Sequence, residues 1–230
     1  MAIFLDTSKV KDITRFHKMG IIRGVTTNPT ILLKEGVTGL KGIESASKQV
    51  AELIHPYPLS VEVTTNDPAQ MIEQAQLFAS WAPNIAVKVT IHGPEGELEN
   101  MEVIHKLETK HNIRVNVTAM MSAQQCLLAA MAGATYVSIF GGRVNNMGYN
   151  ACDEISKLRK LLDQFNLKSQ IIVGSTREVL NVVEWLHAGA HIVTVVPNLL
   201  EGMLVHPYSK ETVQMFLRDA ASVNELMKER

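Results

Sequence analysis

A lysine occupies the middle of the stretch NIAVKVT, Asn84 to Thr90, where Ile85, Ala86, Val87 and Val89 make the surroundings read as a buried strand. Taking an ammonium out of water is costly, so Lys88 must either have a carboxylate partner or have lost its proton. In the second state desolvation lowers the pKa and leaves a nucleophilic amine. A neutral lysine attacks a ketone to give a carbinolamine, which loses water to an iminium, and that electron sink lets the adjacent C–C bond break or form. Proton transfers are needed throughout. Glu62, working through a water, suits the dehydration, and Asp6 suits removal of the proton from a substrate hydroxyl during cleavage. Asn28 and Asn116 offer amides to the hydroxyls of a sugar. Simpler roles compete with each of these. An ion pair with Glu62 or Asp6 would account for Lys88 without catalysis, Asn28 before Pro29 suits an ordinary turn, and Asn116 and Thr118 suit the satisfaction of backbone groups.

A second group of residues suits an anion. Arg143 follows YVSIFGG, and GSTR places Ser175 and Arg177 where a strand turns into a helix. Glycine, hydroxyl, helix N-terminus and two guanidiniums together read as an oxyanion clamp.

These residues need elements that bring them together. Short β-rich runs recur along the chain as IFLD, GVTTNP, LSVEV, IAVKV, RVNVT, YVSIF, QIIVGS and HIVTVVP. Between them, segments such as SKVKDITRFHKM, DPAQMIEQAQLFASW, SAQQCLLAAMAG, CDEISKLRKLLDQF and REVLNVVEWLHAG carry apolar residues at helical spacing. Asp67 followed by Pro68 gives a cap and a first helical residue, and Gly133 and Gly189 close helices. Repeated strand and helix alternation predicts a parallel sheet closed into a single (β/α)8 barrel over residues 1–230. An open doubly wound sheet would place a glycine-rich loop after the first strand, and IFLDTSKV has no glycine. In a barrel the chemistry belongs at the C-terminal strand ends. Asp6, Asn28, Glu62, Lys88, Asn116 with Thr118, Ser138 and Ser175 fall at or near successive ends, and alternation pairs Asn116 with Thr118 and Ser138 with Phe140 on one face. The tail from 208 to 230 reads as an extra amphipathic helix with Val213, Phe216, Leu217, Ala220 and Val223 in one stripe, which either packs on its own barrel or meets a partner subunit.

Composition narrows the function classes. The chain has 230 residues, 46% hydrophobic and 20% charged, which is enough apolar side chain for a full core. A formal net charge of −1 supplies no global positive field for nucleic acid or an anionic membrane surface. Cys126 and Cys152 form no CxxC, which fits a reducing cytoplasm and argues against a disulfide framework or cysteine zinc site. Nothing in the N-terminal MAIFLDTSKV reads as a leader, and no run reaches the roughly 18 apolar residues of a membrane span. The histidines form neither HxH nor HExxH, and Met120 and Met121 suit packing, so no metal and no organic cofactor are expected.

LDT near the start, GVTTNPT, VEV, VKV, the asparagine and threonine of VNVT, AGATYVSIFGGR and the GSTR turn resemble, in this order, the transaldolase family, and especially its short members that include fructose-6-phosphate aldolase. The resemblance implies a (β/α)8 barrel and a Schiff-base mechanism without metal. It implies that Lys88 forms the iminium, that Asp6 and Glu62 move protons and that Thr118 lies near the catalytic water. Asn28, Asn116 and Ser138 would contact the dihydroxyacetone portion, and Arg143, Ser175 and Arg177 the terminal anion. Short members often assemble as decamers through a C-terminal helix, so a homo-oligomer is implied. Glutamate at Glu62 and phenylalanine at Phe140 look like transaldolases, since the fructose-6-phosphate aldolases typically carry glutamine and tyrosine there. Two stretches depart from the pattern: Val89-Thr90 stands where the family commonly has Ile-Pro, and VTAMMS follows Asn116. These leave three substrates or roles open beside the phosphorylated ketose of a transaldolase: a sulfonated ketose such as 6-deoxy-6-sulfofructose, simple aldol cleavage, and an idle sugar-phosphate-binding barrel.

Overall fold

The computed structural model describes residues 2–228, with Met1, Glu229 and Arg230 outside it. The chain runs β1 (Ala2–Asp6), α1 (Val10–Lys18), β2 (Val25–Thr26), α2 (Pro29–Lys34), α3 (Gly39–Ile54), β3 (Leu59–Glu62), α4 (Pro68–Trp81), β4 (Ile85–Thr90), α5 (Glu99–Thr109) and β5 (Val115–Met120). It continues through α6 (Ala123–Met131), β6 (Tyr136–Ile139), α7 (Gly141–Asn146), α8 (Ala151–Gln164), β7 (Gln170–Val173), α9 (Val179–His187), β8 (Ile192–Val195), α10 (Pro197–Leu204) and α11 (Pro207–Lys228). The strands pair in parallel, each with its sequence neighbour, and β8 returns to β1 to close a (β/α)8 barrel.

Strand alternation explains how a lysine sits among valines. Val87 and Val89 belong to the large apolar layer between sheet and helices, which also holds Val61, Val115, Val117, Val137 and Val193. Ala86 belongs to a separate cluster with Phe4, Tyr136, Ile172 and Ile192, which plugs the axis toward the N-terminal strand ends. Lys88, two residues beyond Ala86, shares its face and comes out above that plug. Parallel register then sets its neighbours: Glu62 pairs with Lys88, and Lys88 with Asn116, so three polar side chains lie abreast on adjacent strands.

The helix signals operate as chemistry requires. Asp67 accepts from the Gln70 N–H at 2.9 Å with Pro68 at the first helical position, and Gly133 and Gly189 close α6 and α9 with φ of 106° and 114°. The expected strand GVTTNP shrinks to Val25–Thr26 because Asn28 caps α2, its side-chain oxygen accepting from the Ile31 N–H at 2.9 Å. The expected strand YVSIF ends at Ile139, and Phe140 caps α7, so strand alternation does not govern its direction relative to Ser138.

The tail is helical as expected, but it does not lie on its own barrel. Val213, Phe216, Leu217 and Val223 are 55%, 60%, 67% and 51% exposed, and Ala220 is exposed too. Among the described residues no helix is long and apolar enough to cross a membrane.

Two contacts outside the strands hold the elements that carry the site. Gly142 in α7 lies against the loop after β7: a Cβ there would stand 1.8 Å from the Ser175 carbonyl oxygen and 2.9 Å from Cγ of Arg177. Space, not backbone conformation, is what demands glycine. Glu154 in α8 reaches back to the start of α6, accepting from the Ala123 N–H at 2.8 Å, and pairs with Lys157 at 2.9 Å. The Ala123 amide first, and Lys157 second, hold its carboxyl below the usual range.

Gly142→Ala is expected to destabilise by about 1–3 kcal/mol through overpacking, read as a lower thermal midpoint. Glu154→Ala should cost about 0.5–2 kcal/mol at neutral pH, the usual value of a lost helix cap, in denaturant unfolding. Because the folded carboxyl titrates below its unfolded value, this contribution is full above the ordinary glutamate pKa of about 4.3 and fades as pH falls through the lowered one, so the two proteins should converge in acid.

Candidate functional site

The C-terminal strand ends surround a cavity of about 520 Å³, and every residue singled out from the sequence lines it. At its base the Lys88 ammonium nitrogen is 3.0 Å from Glu62 Oε2 and donates to the Thr27 carbonyl at 3.0 Å. Lys88 is only 6% exposed. The carboxylate partner anticipated for a buried lysine is therefore Glu62, in direct contact rather than through an intervening water.

Asp6, on the other side of β2, accepts from the Thr26 hydroxyl at 2.7 Å. Thr26 has one proton to give, so the 2.6 Å contact with Thr194 must be donated by Thr194. Burial pushes the Asp6 carboxyl above its ordinary pKa, the Thr26 hydrogen bond and the charge of Lys88 pull against that, and Glu62 adds to the rise. Asp6 is thus more basic than a surface aspartate.

On the opposite wall, Ser138 donates to the Asn116 side-chain oxygen at 2.6 Å, and the Asn116 amide nitrogen donates to Ser60 Oγ at 3.0 Å. One N–H of Asn116 is left for the cavity. Thr118 Oγ1 is fully enclosed and has no hydrogen-bond partner among the described residues. Just beyond it, Ala119 at φ 62° breaks the β5–β6 register between Val117 and Met120, which turns the strand end outward. Asn28 spends its oxygen on the α2 cap, and its amide nitrogen is the part that remains available to the cavity.

The anion side differs in one respect from the sequence expectation. α9 begins only at Val179, and the N–H groups of Arg177 and Glu178 both go to the Asn181 side-chain oxygen, at 3.3 and 3.1 Å. Those amides are spent, so of the groups expected to meet an anion the cavity offers the side chains of Ser175, at φ 61°, Arg143 and Arg177 rather than these amides. Neither guanidinium has a carboxylate partner among the described residues, while Arg143 lies over the Phe140 ring with 4.8 Å to the centroid.

Among the lining residues given no role in the sequence reading are Thr26, Thr194 and Lys34. Thr26 and Thr194 sit in runs read as strands with no role given to their hydroxyls, although the polar residue within VTV was a signal for the second. Lys34 belongs to α2, which is too short for its periodicity to register. With it, Lys34, Lys88, Arg143 and Arg177 face Asp6 and Glu62 in one cavity, a local excess of positive charge in a chain of formal net charge −1. Among the described residues no group of three or more His, Cys, Asp or Glu is placed to hold a metal ion.

Similarity to known proteins fits this arrangement. Solved structures share the fold at low identity: a monomeric dihydrodipicolinate synthase variant at TM-score 0.62 and 12% identity, covering 85% of this chain and 68% of that one, and a thiamine phosphate pyrophosphorylase from Pyrococcus furiosus at TM-score 0.60 and 14% identity, covering 85% of each. Sequence relatives are nearer. A protein named "Probable transaldolase 2" from Listeria monocytogenes is 38% identical over 219 residues, 95% of both chains. A "Probable transaldolase" from Dehalococcoides mccartyi is 36% identical over 225 residues, 98% of this chain and all of that one. The family model described as Transaldolase/Fructose-6-phosphate aldolase matches residues 3–230, and the chain belongs to that family.

Proposed function

We propose that this protein is a Schiff-base transaldolase, which moves a dihydroxyacetone unit from an anionic ketose to an aldehyde. The observation that carries the reading is the setting of Lys88: buried, in contact with the Glu62 carboxylate and the Thr27 carbonyl, and lining the cavity. Glu62, 3.0 Å from the Lys88 nitrogen, is placed to take the proton whose departure frees the lone pair for attack.

Each step then has a residue. The Lys88 nitrogen adds to the ketose carbonyl and Glu62 returns the proton that lets the carbinolamine lose water, close to Thr118 in the same cavity wall. Asp6, kept basic by burial, removes the proton of the hydroxyl next to the scissile bond, and the aldehyde leaves as the bonding pair passes into the iminium to form an enamine. Asn28, Asn116 and Ser138 hold the hydroxyls of the three-carbon unit, and Ser175, Arg143 and Arg177 the far anion. An acceptor aldehyde takes the enamine carbon, Asp6 gives back its proton, and hydrolysis frees Lys88. Phe140 has no proton with which to quench the enamine, which favours transfer over simple aldol cleavage.

We further propose that residues 1–230 act as one barrel unit in the cytoplasm, as the free Cys126 and Cys152 suit, and that α11 packs its apolar stripe on a neighbouring subunit of a homo-oligomer, a decamer by analogy with short family members. No partner beyond sugar substrates is needed, neither nucleic acid nor membrane.

Borohydride added with a ketose donor should fix a reduced three-carbon unit on Lys88, read by intact mass and peptide mapping, and Lys88→Ala should abolish it. A panel of phosphorylated and sulfonated ketoses separates the two anion classes. Labelling of another lysine, or of none with any ketose, would sink the Schiff-base reading and leave an idle binding barrel. Donor consumption should be slow alone and fast once glyceraldehyde 3-phosphate is added, and Phe140→Tyr should raise the release of free dihydroxyacetone. Equal rates with and without acceptor would make the protein an aldolase.

A further inference from the structure

Arg143 stands on α7, a helix of six residues, and its side chain is exposed. A long cationic side chain in such a place loses much rotamer freedom when it is held, and something must hold it for an anion site to be pre-formed. Among the described residues Arg143 has neither a salt bridge nor a side-chain hydrogen bond. The contact it does have is the ring of Phe140, 4.8 Å from guanidinium carbon to centroid, well within cation–π range. The backbone beneath it is fixed separately, since Gly142 fits directly against the Ser175 carbonyl and Arg177. Phe140 and Arg143 both line the cavity.

We infer that Phe140 is a positioning residue for the anion subsite: its ring carries the Arg143 guanidinium beside Ser175 and Arg177, and so sets the affinity for the anionic end of the substrate. The inference deepens the transaldolase reading and rests on it for the identity of that substrate, but the contact itself is independent of Schiff-base chemistry. It also divides the residue into two separable parts. The missing hydroxyl governs what happens to the enamine, and the aromatic face governs where Arg143 stands. Tyrosine changes the first and keeps the second. Leucine or methionine, of similar bulk, keeps the first and removes the second.

Inorganic phosphate is the probe, titrated by calorimetry into the full-length protein without substrate. Phe140→Leu and Phe140→Met should weaken phosphate binding about 2–5-fold, the range of one exposed cation–π contact, whereas Phe140→Tyr should match the parent because the ring remains. In an Arg143→Gln background Phe140→Leu should cost nothing more, since the ring acts through the guanidinium. In turnover, Phe140→Leu should raise KM for a phosphorylated ketose more than for uncharged dihydroxyacetone. Thermal melting checks that each variant is folded. The inference is overturned if both ring-removing variants bind phosphate like the parent, if Phe140→Leu weakens binding equally with Arg143 absent, or if the parent does not bind phosphate. A protein that fails borohydride trapping yet gives the predicted phosphate pattern loses the transaldolase reading and keeps this one.

Discussion

Everything in this molecule turns on keeping one amine out of water without leaving it unsatisfied. A buried amine with no partner is costly, and Lys88 finds two, a carboxylate and a main-chain carbonyl. Neither partner is local. Glu62 comes from β3 and Thr27 from the turn after β2, so the lysine is satisfied only when β2, β3 and β4 have paired in the correct register. A slip of one residue in β3 or β4 would turn Glu62 or Lys88 toward the helices and leave a charge in the apolar layer. The polar row thereby helps to specify the fold that creates it.

Much of this arrangement was readable from the residues because a barrel interior obeys two simple periods. Alternation places Ala86 and Lys88 on one face and Val87 and Val89 on the other, and all eight β-rich runs contain a strand. The misreadings cluster where the chain leaves those periods. α2, α7 and α10 are each too short to show a helical stripe, and they begin directly at the strand ends, at Asn28, Phe140 and Val196. Lys34 was lost with the first of them, and the direction of Phe140 with the second. The spent amides before α9 were invisible for another reason: Asn181 lies four residues beyond Arg177, and only the folded turn reveals that its side chain caps them.

The cavity is polarised along its depth. Acids and the lysine lie together at the base, and the arginines stand on the side of β6 and β7, a separation that suits the proposed proton transfers at one end and a charged substrate end at the other. The same separation keeps the guanidiniums from forming ion pairs with Asp6 or Glu62, which would silence both groups.

The two apolar clusters carry a consequence for how such a protein can change over time. The outer layer between sheet and helices and the small plug on the axis supply the cohesion, and neither includes the polar groups at the mouth. A side chain such as Lys34, which lines the cavity and belongs to neither cluster, can therefore be exchanged with little loss of solidity, so a lineage can alter the cavity wall on an unchanged scaffold. Stability and selectivity are written in different residues, and drift in one need not wait for compensation in the other.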